Sequence, residues 1–119
     1  MASLSNIPQD VPISVKAGAT FSFPAVFSIS LTGQTVRLRV ASQYGSDLLL
    51  QLDNGASGGI VLSTTTLAND TATVTFTDEQ LGVEEAGIPV GEHVYDFERE
   101  AGGIVFPIMS GKFTVEGQV

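Results

Sequence analysis

The chain has 119 residues, 43% of them apolar, with no cysteine and no tryptophan, and thirteen acids against five bases give a net charge of −8. One domain of this length buries roughly two-thirds of its unfolded surface, and without cysteine neither a disulfide framework nor a thiolate metal site can form. The charge has the wrong sign for displacing counterions from phosphate, which excludes nucleic acid as the expected partner.

Met1-Ala2-Ser3-Leu4-Ser5-Asn6 lacks the basic and apolar blocks of a signal peptide, and no run approaches the roughly 18 apolar residues of a membrane helix. The expectation is a soluble protein made in a cytoplasm, with no membrane partner. Residues 1–14, with Pro8 and Pro12, read as an N-terminal arm leading into a first edge strand; residues 15–119 read as a single β-sandwich domain.

In "TFSFPAVFSISL" the apolar set is Phe21, Phe23, Ala25, Phe27, Ile29 and Leu31, with Ser22, Pro24, Ser28 and Ser30 between. Period-two alternation predicts a half-buried strand, and Pro24 marks an edge or a bulge. "QTVRLRVAS" sends Val36, Leu38 and Val40 one way and Thr35, Arg37 and Arg39 the other. "DLLLQL" follows a turn at Tyr44-Gly45-Ser46 and closes at Asp53-Asn54-Gly55. "GGIVLST" and "TATVTF" follow, separated by Leu67-Ala68-Asn69-Asp70. "TDEQLGV" breaks the period: Thr77 with Gln80 three residues on is a capping box, which predicts one short helical turn. "HVYDFEREAGGIVFPIMSGKFTV" folds back on itself across Ala101-Gly102-Gly103. Seven or eight short strands with turn signals between them, and almost no helix, indicate an all-β sandwich.

Charge is uneven along this order: four acids face three bases up to Phe76, and nine face two after it. Tyr95, Phe97 and Arg99 share one parity of the penultimate strand; Asp96, Glu98 and Glu100 share the other and form a row. Such a row could hold a cation or act as paired acid and base. A solvated outer face, or a docking face for a basic partner, explains it without requiring a buried carboxyl. His93, the single histidine, has no nucleophile elbow to serve and reads as a strand-end residue with an ordinary hydrogen bond. Asp53-Asn54-Gly55 and Asn69-Asp70 are turn formers rather than calcium loops. Asn69-Asp70-Thr71 matches a glycosylation acceptor, a pattern with little meaning without secretion. Gly58-Gly59 has neither the lysine nor the helix of a phosphate cradle. Arg37 and Arg39, on the solvent side of their strand, are free to pair with nearby acids or with a partner. The expectation is no enzyme, no catalytic residue, no cofactor and no metal.

"GATFSFPAVFSISLTGQTVRLRV", "GGIVL", "FTDEQL", "GEHVYDFE" and "IVFPIMSGKFTV" together resemble small bacteriophage virion proteins of immunoglobulin-like antiparallel sandwich fold. They are also similar to the N-terminal domains of phage upper baseplate proteins. The likeness runs from about Val15 to Val115, with Phe97 where leucine is usual and "GKFTV" at the close. It implies a non-enzymatic virion component, assembled in the host cytoplasm, a homo-oligomer whose partners are other virion proteins. A surface accessory that decorates or cements the capsid is the leading expectation; a tail, baseplate or fibre adaptor is the alternative. From a different class, a carbohydrate- or cell-surface-binding module stands against it, disfavoured because seven of the nine aromatics are phenylalanines, mostly at core parity. Asp96, Glu98 and Glu100 form the candidate docking face, and Ile7, Val11 and Ile13 the candidate edge or arm attachment.

Overall fold

In the computed structural model, described for residues 9–64, 70–82 and 87–117, nine strands and one 3-10 turn build two stacked sheets. The strands are β1 (Gln9–Asp10), β2 (Ile13–Lys16), β3 (Phe21–Phe27), β4 (Thr35–Ala41), β5 (Leu48–Asp53), β6 (Ile60–Ser63), β7 (Asp70–Phe76), β8 (Gly91–Ala101) and β9 (Ile104–Glu116). Sheet A runs β1/β2-β9-β8-β4-β5, and sheet B runs β3-β7-β6. Both β1 and β2 lie parallel to β9, while the remaining pairs are antiparallel. Taken in chain order, this is the immunoglobulin arrangement, with strands B, E and D in one sheet and G, F, C and C′ in the other. The chain is an all-β, immunoglobulin-like sandwich.

Alternation decides which side of each strand is inside. Val36, Leu38 and Val40 are fully buried, with Arg37 and Arg39 on the opposite face of β4. On β8, Tyr95 and Phe97 enter the core, where Phe97 meets Phe23 edge-to-face at 6.3 Å. Tyr95 precedes Phe97 by two residues, the spacing of tyrosine and second cysteine in antibody domains. An aromatic pair thus joins the sheets here in a chain that has no cysteine. Phe113 extends the contact, 5.0 Å from Phe76 and 6.2 Å from Tyr95 between ring centroids.

Two local expectations meet a different outcome. The strand read through Leu31 stops at Phe27; Ile29 is exposed, and Leu31 is buried from within a loop. The cause is Asp70, buried at the start of β7, whose carboxylate accepts the Leu31 N–H at 2.7 Å and so draws the loop off the ladder. Asp70 is therefore a strand residue rather than a turn residue; Asn69 lies outside the described residues. Of the stretch read as an arm over residues 1–14, the described part lies along β9 as β1 and, after Val11 and Pro12, as the start of β2.

Pro24 and the glycine turn of the last hairpin stand as read. Pro24 lies on β3, at the edge of sheet B. Pro107 flanks a bulge, since Phe97 pairs with Met109 and Glu98 with Pro107, leaving Ile108 over. The β8–β9 hairpin turns on Gly102 and Gly103, at φ 59° and 80°, the left-handed pair that a two-residue turn requires. Gln80 Oε1 accepts the Thr77 N–H at 2.9 Å across the 3-10 turn Asp78–Gln80.

Candidate functional site

The acidic row of β8 finds its basic partner on the neighbouring strand. Register places Arg39 opposite Asp96 and Arg37 opposite Glu98, with Glu100 opposite Thr35. Direct and diagonal contacts then thread five side chains into one line of alternating sign. Arg39 donates from Nε to Asp96 Oδ1 at 3.0 Å and from Nη2 to Asp96 Oδ2 at 3.2 Å; Nη2 also reaches Glu98 Oε1 at 2.8 Å. Glu98 Oε2 accepts from Arg37 Nε at 2.6 Å, and Arg37 Nη2 reaches Glu100 Oε1 at 3.0 Å.

This ladder corrects the reading of a plain solvated row. Glu98 is only 8% exposed, a position a carboxylate holds only when paired. The arginines stand as its counter-ions. Hydrogen bonding to Asp96 raises the Arg39 pKa above its ordinary value against the opposing effect of burial. For Arg37 burial works to lower the pKa, and the bonds to Glu100 and Glu98 outweigh it. Two guanidiniums against three carboxylates leave the line with one surplus negative charge. Asp96 and Glu100, each with 38% of the side chain exposed, are what the candidate docking face still presents to a partner.

The described part of the arm, residues 9–14, pairs with the chain's own sheet. Ile13 is in the core at 9% exposure, and the Val11 N–H donates to Ser110 O at 2.9 Å. The Val11 carbonyl accepts the Tyr95 hydroxyl at 2.6 Å. Of the candidate attachment residues, Val11 and Ile13 are thus spent internally, and Ile7 lies outside the described residues. Tyr95 has its ring inside and its hydroxyl on a backbone carbonyl 84 residues earlier in the chain. Burial, with smaller contributions from Tyr44 and Asp10, pushes its pKa up to about 12.

His93 is buried, with Nε2 2.7 Å from Pro89 O and Nδ1 without a partner among the described residues. Among the described residues no cluster of three histidine, aspartate or glutamate side chains is arranged to hold a metal ion, and no helix is long and apolar enough to cross a membrane. Asp53 turns back on its own loop, Oδ1 accepting the N–H groups of Gly55 at 2.8 Å, Ser57 at 3.1 Å and Gly58 at 3.3 Å. The Gly55 bond leads the causes that hold its pKa below the ordinary value.

The two outer faces differ in kind. Sheet B presents Ser22, Pro24 and Val26 from β3, Thr71, Thr73 and Thr75 from β7, and Val61 and Ser63 from β6, with no charged side chain among them. Val26 and Val61 are 65% and 69% exposed. Sheet A presents the charged ladder and, where the β4–β5 turn folds back over β8, an open groove. Tyr44 forms one wall of that groove; its hydroxyl lies 3.3 Å from Tyr95 O and 3.4 Å from Gly111 O. Nothing in the strand periodicity pointed to this groove; the one signal was an aromatic residue set in a turn, at Tyr44.

No protein-family model matches the chain, and no curated protein matches it. Among solved structures it is similar to the BTLA ectodomain, with TM-score 0.46, 14% identity and 95% of each chain covered. It is also similar to the extracellular domain of the voltage-gated sodium channel β4 subunit, described as forming parallel homodimers in cell–cell adhesion. That match has TM-score 0.43 and 11% identity, covering 95% of this chain and 96% of the other. A third similar chain comes from a structure of T cell recognition of toxic shock syndrome toxin-1, with TM-score 0.41 and 12% identity, covering 87% of this chain and 92% of that one. These are likenesses of shape at low identity; strand order and register carry the fold assignment.

Proposed function

We propose that the protein is a non-enzymatic structural component of a bacteriophage virion, a surface accessory that docks on neighbouring capsid subunits. The observation that carries the docking part is the outer face of sheet B. In a chain of net charge −8, the described residues of this three-stranded surface are serine, threonine, valine and proline, without a charge. A charge-free face can approach another protein without desolvating ions or opposing carboxylates. The absence of a reactive constellation among the described residues fits the same reading: the row of acids is paired with its own arginines, with one negative charge to spare, and His93 is buried against a carbonyl. The virion placement rests on the sequence resemblance and not on the structural neighbours.

The test is incorporation. Val26→Glu with Val61→Glu places two charges on the sheet B face at exposed positions and leaves the core untouched. The variant should fold with the wild-type circular dichroism spectrum and fail to enter particles assembled in its presence. Incorporation at the wild-type level would remove this face from the docking role.

A further inference from the structure

From the groove on the outer face of sheet A we infer a second binding site, for a neutral sugar ring. This goes beyond the docking reading and does not depend on it. The groove has a volume of about 190 Å³ and is bounded by Arg39, Gln43, Tyr44, Ser46, Leu48 and Asp96. That is below the roughly 300–1,000 Å³ of sites for drug-sized ligands, so it takes one ring rather than an extended molecule.

Its chemistry is that of a polyol site. Tyr44 is 60% exposed and Leu48 50% exposed, supplying a ring face and an aliphatic wall. An aromatic face carries negative quadrupole density and attracts polarised C–H groups, which a pyranose offers on one side. Polar capacity is left over beside these walls. Among the described residues, Arg39 uses Nε and Nη2 and leaves Nη1 unpartnered, while each Asp96 oxygen accepts a single bond. The Gln43 amide and the Ser46 hydroxyl have no side-chain partner among the described residues. Adjacent hydroxyls of a sugar donate to a carboxylate and accept from a guanidinium at once.

Charge selects the class. The two charged residues that line the groove, Arg39 and Asp96, are paired with each other, and the surplus negative charge of the line is shared with Glu98 and Glu100 outside it, so neither a cation nor an anion finds a bare partner there. An anion would have to take Arg39 from both Asp96 and Glu98, on a chain of net charge −8. A purely apolar ligand would strand these donors and acceptors away from water. A neutral hexose or N-acetylhexosamine satisfies all three conditions.

The experiment is a titration of isotope-labelled full-length chain with the methyl glycosides of glucose, galactose, mannose and N-acetylglucosamine, followed by amide chemical shifts. At least one glycoside should give saturable shifts confined to Ser42–Leu48 and Val94–Asp96, with a Kd in the millimolar range. Tyr44→Ala should abolish them while keeping the rest of the spectrum, and Gln43→Ala, at an exposed turn position, should weaken them about threefold or more. N-acetylneuraminic acid and inorganic phosphate should leave the groove unshifted. A trisaccharide that binds as well as its terminal glycoside would support the site and identify a glycan chain end as the source; a trisaccharide excluded while the glycoside binds would support it with free sugar as the source. No groove shift with any glycoside up to about 50 mM, well above a millimolar Kd, would overturn the inference. So would shifts that survive Tyr44→Ala, or an anion that binds in place of the neutral sugars. The wild-type shift map decides even if a variant fails to fold.

Discussion

Replacing Tyr95 with phenylalanine removes one oxygen from the core and tests how the arm is held. The ring is 1% exposed and its hydroxyl donates to Val11 O at 2.6 Å. Losing the bond costs about 1 kcal/mol, and the Val11 carbonyl left without its partner adds about 1 more, for a total near 2 kcal/mol. In a domain of this size, that lowers the thermal midpoint by about 6–10 °C. Tyr95→Ala removes the ring as well and costs about 3–5 kcal/mol, a large part of the roughly 5–15 kcal/mol that holds a domain folded. The alkaline limb supplies an independent check. Folding raises the phenol pKa from 10 to about 12, chiefly by burial. A raised folded pKa means the contribution is fully present below pH 10 and is lost as pH climbs from 10 to about 12. Two units bound that loss at about 2.7 kcal/mol, and solvent screening reduces it to about 1–2 kcal/mol. Urea midpoints of wild type and Tyr95→Phe should therefore differ below pH 10 and converge above it. Equal midpoints at neutral pH, or a gap that stays constant across the alkaline range, would refute the reasoning.

Glu98→Gln should cost about 2 kcal/mol, between the exposed and the buried limits for an ion pair; in urea unfolding that loss should persist in 1 M salt, whereas the smaller effect of Glu100→Gln should vanish. Gly111 sits at φ 150°, where an added Cβ would lie 2.8 Å from Asp10 Oδ1 and 3.0 Å from Val11 O. Gly111→Ala should push the arm off β9, and hydrogen exchange at the Val11 amide should quicken at least about tenfold. Asp53→Asn should lower stability at neutral pH, measured by thermal melting. Because the folded pKa is depressed, the gap to wild type should close as pH falls from the ordinary value of 3.8 through the folded one.

Much of the fold was written in side-chain parity. Val36, Leu38 and Val40 on β4, and Tyr95 and Phe97 on β8, alternate with charged residues so regularly that the inside face follows from spacing alone. The same parity put Arg37 and Arg39 on one face and Asp96, Glu98 and Glu100 on one face. It could not say that these are one face of one sheet, because the pairing of β4 with β8 spans about sixty residues of sequence and is fixed by the sandwich topology. For the same reason Glu98 read as solvated although it is buried between two guanidiniums. Leu31 shows the opposite failure. Its alternation continues that of β3, yet a carboxylate 39 residues away takes its amide and ends the strand. The groove was out of reach for a third reason. It exists because a turn folds back over the sheet, and turn chemistry at Tyr44-Gly45-Ser46 gives the reversal but not its direction.

The most direct test of the proposed role is cryo-electron microscopy of purified phage particles assembled in the presence of this chain, at a resolution that separates strands. The prediction is sandwich density at repeated positions on the shell, with β3, β7 and β6 against a neighbouring subunit and the ladder of sheet A facing outward. Density confined to the tail would transfer the role to an adaptor there. Particles that lack the chain altogether would contradict a structural part in the virion.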